Sequence, residues 1–257
     1  MIPFLRANRL VVRFAVELFS GSGRFSESWR RRAGCPIIEF DIRHGEQYDL
    51  CRKRVQQLVR GWLTCGWVVA VWLGTPCGSF SRARDRPGGP PRLRSDQCPL
   101  GLDDLKPADR EKVRIGNIMM SFSAGVLLLC RRHVIPAALE NPAGSRIWLC
   151  KPIAAVRKWA VSREIVTDYC QFGEAWRKRT RILSVYADLS AAERKCHGKG
   201  ICTATGRRHE TLSGCHNGVF RTSLAEPYPR GLCRCLVDAF GDALAAQFTH
   251  GMCVSWE

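Results

Sequence analysis

Val68-Val69-Ala70-Val71-Trp72-Leu73, followed by Gly74-Thr75-Pro76-Cys77-Gly78-Ser79-Phe80-Ser81, is the stretch that decides the fold. A short, unbroken apolar run closed by Gly-Thr-Pro reads as a strand buried on both faces. Its end puts Cys77 at the first exposed position of a loop that continues through Arg82, Arg84 and Arg86. Cationic surroundings favour the thiolate, and the thiolate is the nucleophile. Of the fourteen cysteines, Cys77 is therefore the one placed for chemistry.

Working outward, apolar runs alternate with helical patterns. Residues 10–19 form a strand pattern that stops at Ser20-Gly21-Ser22-Gly23, and 25–32 suit a helix. A second strand, 36–40, ends at Asp41, and 51–64 carry Val55, Leu58, Val59, Trp62 and Leu63 at helical spacing. Helices are expected over 109–131 and 153–159, and strands over 134–139, 165–172 and 182–186. A closing helix shows Leu232, Leu236, Ala239, Phe240, Ala243 and Leu244 on one face. This alternation predicts an α/β domain with a mostly parallel sheet and helices on both faces. Residues 82–108 hold Pro87, Gly88, Gly89, Pro90, Pro91, Pro99 and Pro107 and read as a long irregular loop, a lid or a disordered segment.

Forty Lys and Arg against 23 Asp and Glu leave a formal charge of +17, which points to a polyanionic partner, most simply nucleic acid. The first ten residues lack a signal-peptide core, so the cysteines are expected reduced, in an intracellular compartment, the nucleus in a eukaryote. The longest apolar stretch, residues 118–130, is shorter than the roughly 20 residues that span a bilayer, so no membrane partner is expected. The chain is taken as a monomer.

Glycines after a strand let the backbone pass close to a nucleotide-like ligand, and an acidic residue ending the next strand can hold ribose hydroxyls. Phe19-Ser20-Gly21-Ser22-Gly23, Asp41, Pro76-Cys77-Gly78-Ser79-Phe80-Ser81 and Glu140-Asn141 occur here in that order. The ordered set resembles the cytosine carbon-5 methyltransferases, whose fold is Rossmann-like and whose cofactor is S-adenosylmethionine. The resemblance implies that Phe19, Gly21 and Gly23 line the cofactor, with Asp41, Ile42, Asp49 and Pro76 completing its site. Trp176-Arg177-Lys178-Arg179-Thr180-Arg181 is similar to the family's Arg-x-Arg motif, which implies Arg179 and Arg181 at the base. Tyr228-Pro229 and the last helix look like its closing motif.

The implied chemistry needs these residue types. Cytosine carbon 5 is a poor nucleophile until a thiolate, here Cys77, adds to carbon 6. A carboxyl group such as Glu140 serves ring nitrogen 3 as acid or hydrogen-bond partner. An arginine of the pair holds the carbonyl oxygen, and a duplex target has to be flipped from its stack. DNA is favoured over RNA as substrate because most members of the resembled family use it. RNA cytosine methylation, and a nucleic-acid-binding protein that keeps the fold without activity, remain alternatives.

The methyltransferase domain is expected over 10–187 and 227–248. Residues 188–226, where a target-recognition domain normally lies, form a small Cys/His-rich insertion. Cys196, Cys202 and His209 suit tetrahedral zinc, which staples small units lacking a core. Cys170, Cys215 and His216 are the candidates for a fourth ligand, Cys170 being preferred.

Overall fold

The Val68–Leu73 run is a central strand of a six-stranded sheet. The structure is a computed structural model that describes residues 12–87, 89–216 and 219–249. Chain order is β1 (Phe14–Leu18), α1 (Arg24–Arg32), β2 (Ile37–Phe40), α2 (Lys53–Thr64), β3 (Val68–Leu73), α3 (Pro107–Arg132) and β4 (Ala137–Pro142). Then follow α4 (Lys151–Val156), β5 (Ser162–Asp168), β6 (Arg179–Val185), the short pair β7 (Cys215–His216) and β8 (Val219–Phe220), and α5 (Arg230–Thr249). The sheet order is β2-β1-β3-β4-β6-β5. The first four strands of that order are parallel, and β6 runs antiparallel to both neighbours. With helices on both faces, this is the Rossmann-like α/β architecture that the sequence predicts.

Strand periodicity sorts side chains between two cores. Phe14, Val16 and Leu18 of β1, Val71 and Leu73 of β3, Leu139 of β4 and Leu183 of β6 meet α2, α3 and α4. Ala15, Ala70, Trp72, Ala138 and Ile182 face the other way, onto Phe25 and Trp29 of α1 and Leu232, Leu236 and Phe240 of α5. Phe25 stacks on Trp72 with ring centroids 4.7 Å apart, a pairing that adds about 0.5–1.5 kcal/mol beyond burial. α3 is long and apolar enough to cross a membrane by length and composition; its Met120, Phe122, Val126 and Leu127 are buried in the first core.

Several expected elements shift: the helix expected over 153–159 is Lys151–Val156, and the strand expected over 182–186 is Arg179–Val185. Val134 has φ +55°, so the strand expected over 134–139 begins only at Ala137, and it continues through Asn141 and Pro142. The strand expected over 165–172 spans Ser162–Asp168, and Tyr169–Phe172 turn as a 3-10 segment closed by Gly173 at φ +96°. The first strand, expected over 10–19, is Phe14–Leu18, with residues 10 and 11 outside the described ones.

The 82–108 loop is irregular, as expected, and tied down. Arg146, only 2% exposed, makes a forked pair with Asp85 (3.2 and 2.7 Å) and reaches Asp96 at 3.0 Å. Arg94, fully buried, donates to the carbonyls of Ser79, Pro99 and Val113, to Ser79 Oγ and to Asn117 Oδ1, and lies 3.7 Å over the Phe80 ring. Every polar partner of Arg94 is neutral, and burial pulls its guanidinium down to about 10.

Candidate active site and Cys-His cluster

Parallel strands that stop together leave their carboxyl ends as a shelf, and there two of the expected catalytic residues, Cys77 and Glu140, come together. Gly74 ends β3 under close constraint: a Cβ would lie 2.8 Å from both the Phe19 carbonyl and the Tyr228 hydroxyl. Pro76 is exposed and Cys77 partly so. Asn141, wholly buried, donates to the Thr75 carbonyl at 2.6 Å and so joins the end of β4 to the Cys77 loop. Glu140 is 5% exposed. It accepts from Tyr228 at 3.1 Å and, more tightly, from Thr180, with Lys178 Nζ at 3.9 Å.

The expected role of the arginines is corrected by strand geometry. Glu140 shares the face of Ala138, and across the β4–β6 ladder that is the face of Ile182 and Thr180. Side chains alternate, so Arg179 and Arg181 point to the opposite face. Arg179 forks onto Asp168 at 2.9 and 2.7 Å, and Arg181 lies over Trp148 and pairs with Glu164 at 3.6 Å. The cation beside Glu140 is Lys178, which donates to the Tyr169 hydroxyl and the Ala225 carbonyl, both at 3.1 Å. Sequence reading passed over Lys178 and Thr180; the signal for both was the period of two.

A second correction concerns the thiol. Burial pushes the Cys77 thiol above its ordinary range; Lys178 pulls it down and Glu140 pushes it up. Two of the loop arginines expected to favour the thiolate are spent on other partners. Arg82 bonds the Gly144 carbonyl and Asp96, and Arg84 bonds the carbonyls of Gly78 and Pro91. Tyr169 and Tyr228, both buried, are held well above the phenol range by burial and then by Glu140.

Beside this group, the turn after β1 forms a cradle. Phe19, Gly21 and Gly23 all have left-handed φ (59°, 56° and 66°), which for Phe19 is a strained conformation. Asp41 fixes the turn by accepting Gly21 N at 2.8 Å, and its other oxygen takes Arg43 N at 2.9 Å. Each carboxylate oxygen retains accepting capacity. Ile42 is 53% exposed although apolar, and Asp49 caps the turn into α2 through Cys51 N at 2.8 Å. Glu17, wholly buried, accepts from Ser26 through Oε2, while Oε1 has no partner; burial raises its pKa to about 8. A left-handed backbone cradle, a carboxylate with free lone pairs, an exposed apolar side chain and an orphaned buried oxygen fit a ligand carrying ribose, adenine and an ammonium group.

The metal-type residues also come together. One ligand atom each from Cys170, Cys196, Cys202 and His209 lie within 4.8 Å of one another. Cys170 is on the turn after β5, and the other three come from the insertion. Although burial opposes ionisation, the Thr203 N–H and hydroxyl and the Gly198 N–H hold the Cys196 thiol down at about 6. The side chains of Cys215 and His216, the other expected candidates, lie outside the described ones.

Comparison with solved structures gives remote likenesses. No family model and no curated protein matches the chain. Among solved structures, it is similar over 92% of its length to the Entamoeba histolytica methyltransferase EhMeth, covering 97% of that chain at 10% identity and a TM-score of 0.38. Over 77% of its length it is similar to a Spodoptera frugiperda DNMT2 mutant, covering 54% of that chain at 17% identity and a TM-score of 0.37.

Proposed function

We propose that this chain methylates cytosine at carbon 5 in nucleic acid, DNA before RNA, through a covalent adduct at Cys77. The observation that carries the reading is the convergence of Cys77, Glu140, Lys178, Thr180 and Tyr228 on one sheet edge beside the glycine cradle. DNA is preferred on the sequence resemblance, and the charge of +17 suits either polymer.

Phe19, Gly21, Gly23, Asp41 and Ile42 would hold S-adenosylmethionine, with Asp49 and Pro76 at its margins. Bound there, it supplies an electrophilic methyl group. Cys77, as thiolate, forms a bond to carbon 6 of the base, and the electron pair moves onto carbon 5, which then takes the methyl. Glu140, oriented by Thr180 and Tyr228, serves ring nitrogen 3. Lys178 takes the cationic place the arginines vacate: it favours the Cys77 thiolate and is positioned to hold the base's carbonyl oxygen. Water, as base, then removes the carbon-5 proton; the electron pair of that bond re-forms the double bond between carbons 5 and 6 and expels Cys77 as thiolate.

The test offers labelled S-adenosylmethionine with DNA and RNA in parallel, and a 5-fluorocytosine polymer as trap. Label in DNA, its loss in Cys77→Ser, and a trapped adduct on Cys77 are expected. Label in RNA alone would move the reading to that polymer. Transfer that survives Cys77→Ser would sink the mechanism. Absence of both transfer and cofactor binding would favour a nucleic-acid-binding protein without activity.

A further inference from the structure

The Cys-His group takes no part in the chemistry above, and it is the best-formed site outside it. Cys170, Cys196 and Cys202 are 1%, 1% and 3% exposed and make a small core of their own, apart from the two cores of the sheet. Cys196 Sγ and His209 Nε2 are 3.6 Å apart. Four ligands at tetrahedral corners around zinc, with Zn–S bonds of about 2.3 Å, are separated by roughly 3.8 Å. All four ligand atoms fall within 4.8 Å of one another, close to that figure, and none of the three cysteines is in a disulfide.

The surroundings are also those of metal-bound thiolates. Gln171 Nε2 approaches the sulfurs of Cys170 and Cys202, each at 3.7 Å, and Thr203 N approaches Cys196 Sγ at 3.5 Å. The backbone folds as a knuckle: Ile201 bridges Arg208, Cys202 N donates to the Arg207 carbonyl at 2.7 Å, and His209 N to the Gly200 carbonyl at 2.8 Å. Three thiolates and a neutral imidazole around Zn²⁺ leave one negative charge, which exposed Lys199, Arg207 and Arg208 of the same segment offset.

Metal ligands are positioned by a second layer of hydrogen bonds. Here that layer is Asp168 and Arg179. The wholly buried Asp168 accepts Cys196 N at 2.7 Å, and Arg179, forked onto Asp168, also donates to the Cys196 carbonyl at 3.2 Å. The arginine that the sequence places at the base is thus used to hold the ligand loop.

We propose that Cys170, Cys196, Cys202 and His209 bind one Zn²⁺ in a closed, structural site whose outer shell is the Asp168–Arg179 pair. The proposal is independent of the methyl-transfer reading. With all four positions filled by protein, the metal acts as a staple that fastens the insertion to the end of β5.

Metal analysis of the full chain, with Co²⁺ exchange as a spectroscopic probe, tests it. About one zinc per chain and the absorption of tetrahedral, thiolate-bound Co²⁺ are expected. Cys202→Ser should lose the metal, and Cys98→Ser, at an exposed position away from the cluster, should keep it. His209→Cys, which restores four soft ligands, should bind zinc and separates ligand loss from misfolding. Chelation should lower the melting temperature by about 10 °C. Asp168→Asn should weaken zinc affinity at least about 10-fold in competition with a chelator. A folded wild-type chain without zinc and without the Co²⁺ spectrum, or a disulfide among the three cysteines, would overturn the site. A folded His209→Cys that binds no metal would do the same, and unchanged affinity in Asp168→Asn would overturn the outer shell.

Discussion

Residues 78–106 and residues 188–226 both leave the sheet for long irregular excursions, and both return to the edge that carries Cys77 and Glu140. The first is fastened by guanidinium groups: Arg94 sinks among neutral carbonyls against Phe80, and Arg146 spans Asp85 and Asp96. The second is gathered by sulfur and imidazole around a point where the chain has little apolar matter of its own. The difference follows from neighbours. The 78–106 loop lies against α3, which offers the Val113 carbonyl, Asn117 and the gap at Gly116, so a long cation can be swallowed whole. Leu189 and Ala192 of the insertion join the second core, but its Cys-His part has mainly the end of β5 to lean on, and a short segment without a core needs a cross-link.

Breaking the arginine fastening should carry a large cost in stability. Arg146→Ala removes a buried side chain and frees two partly exposed carboxylates, so about 2–3 kcal/mol should be lost in chemical denaturation, rather than the larger cost of stranding buried charges. Melting by that amount without any change in zinc content would show that the two segments are fastened separately. Gly116→Ala strikes the same loop from the helix side. Its Cβ would run into Ser79 Oγ and lie 2.9 Å from Arg94 Nη2. Crowding outweighs the helix-propensity gain, for a net loss of about 1–2 kcal/mol. A stabilised Gly116→Ala would show that the gap is not what admits Arg94.

Between the two segments sits the thiol. Because burial raises Cys77, adduct formation should climb with pH through the neutral range, about tenfold per unit, without a plateau below the ordinary thiol pKa. Lys178→Met should slow it about tenfold at pH 8 and displace the profile upward; an unmoved profile would leave Lys178 a structural residue only.

The smallest effect is an order of release in acid. Asp85 and Asp96 are held below the carboxylate range by Arg146 and Arg82, so their contribution is complete above the unfolded value of about 4 and fades only as pH falls through the lower folded values. Protons compete with metal for thiolates at higher pH. Protease should therefore cut 188–226 first as pH falls, and 78–106 later. Simultaneous cutting would mean that the two share one fastening.

Much of this was legible in the sequence. The apolar run before Cys77, the glycines of the first turn and the strand-helix alternation gave the fold and the edge. Cys170 was placed with Cys196, Cys202 and His209 by residue type. What escaped was orientation. Arg179, Thr180 and Arg181 differ by single steps along a strand, and only the register against β4 decides which of them meets Glu140. The anchoring of 82–108 was equally hidden, since proline and glycine announce irregular backbone and say nothing of Arg94 reaching back to Ser79. Glu17 escaped as well, a carboxyl in the middle of an apolar strand.

Gly74 has a consequence for how donor and acceptor would meet. On one side lies the Phe19 carbonyl of the glycine turn, on the other the Tyr228 hydroxyl that serves Glu140, and neither leaves room for a methyl group. At this point the glycine turn and the Tyr228–Glu140 pair are therefore separated by no more than a hydrogen atom. Any side chain at this position would push them apart, and under the proposed methyl transfer it would lengthen the path from donor to acceptor.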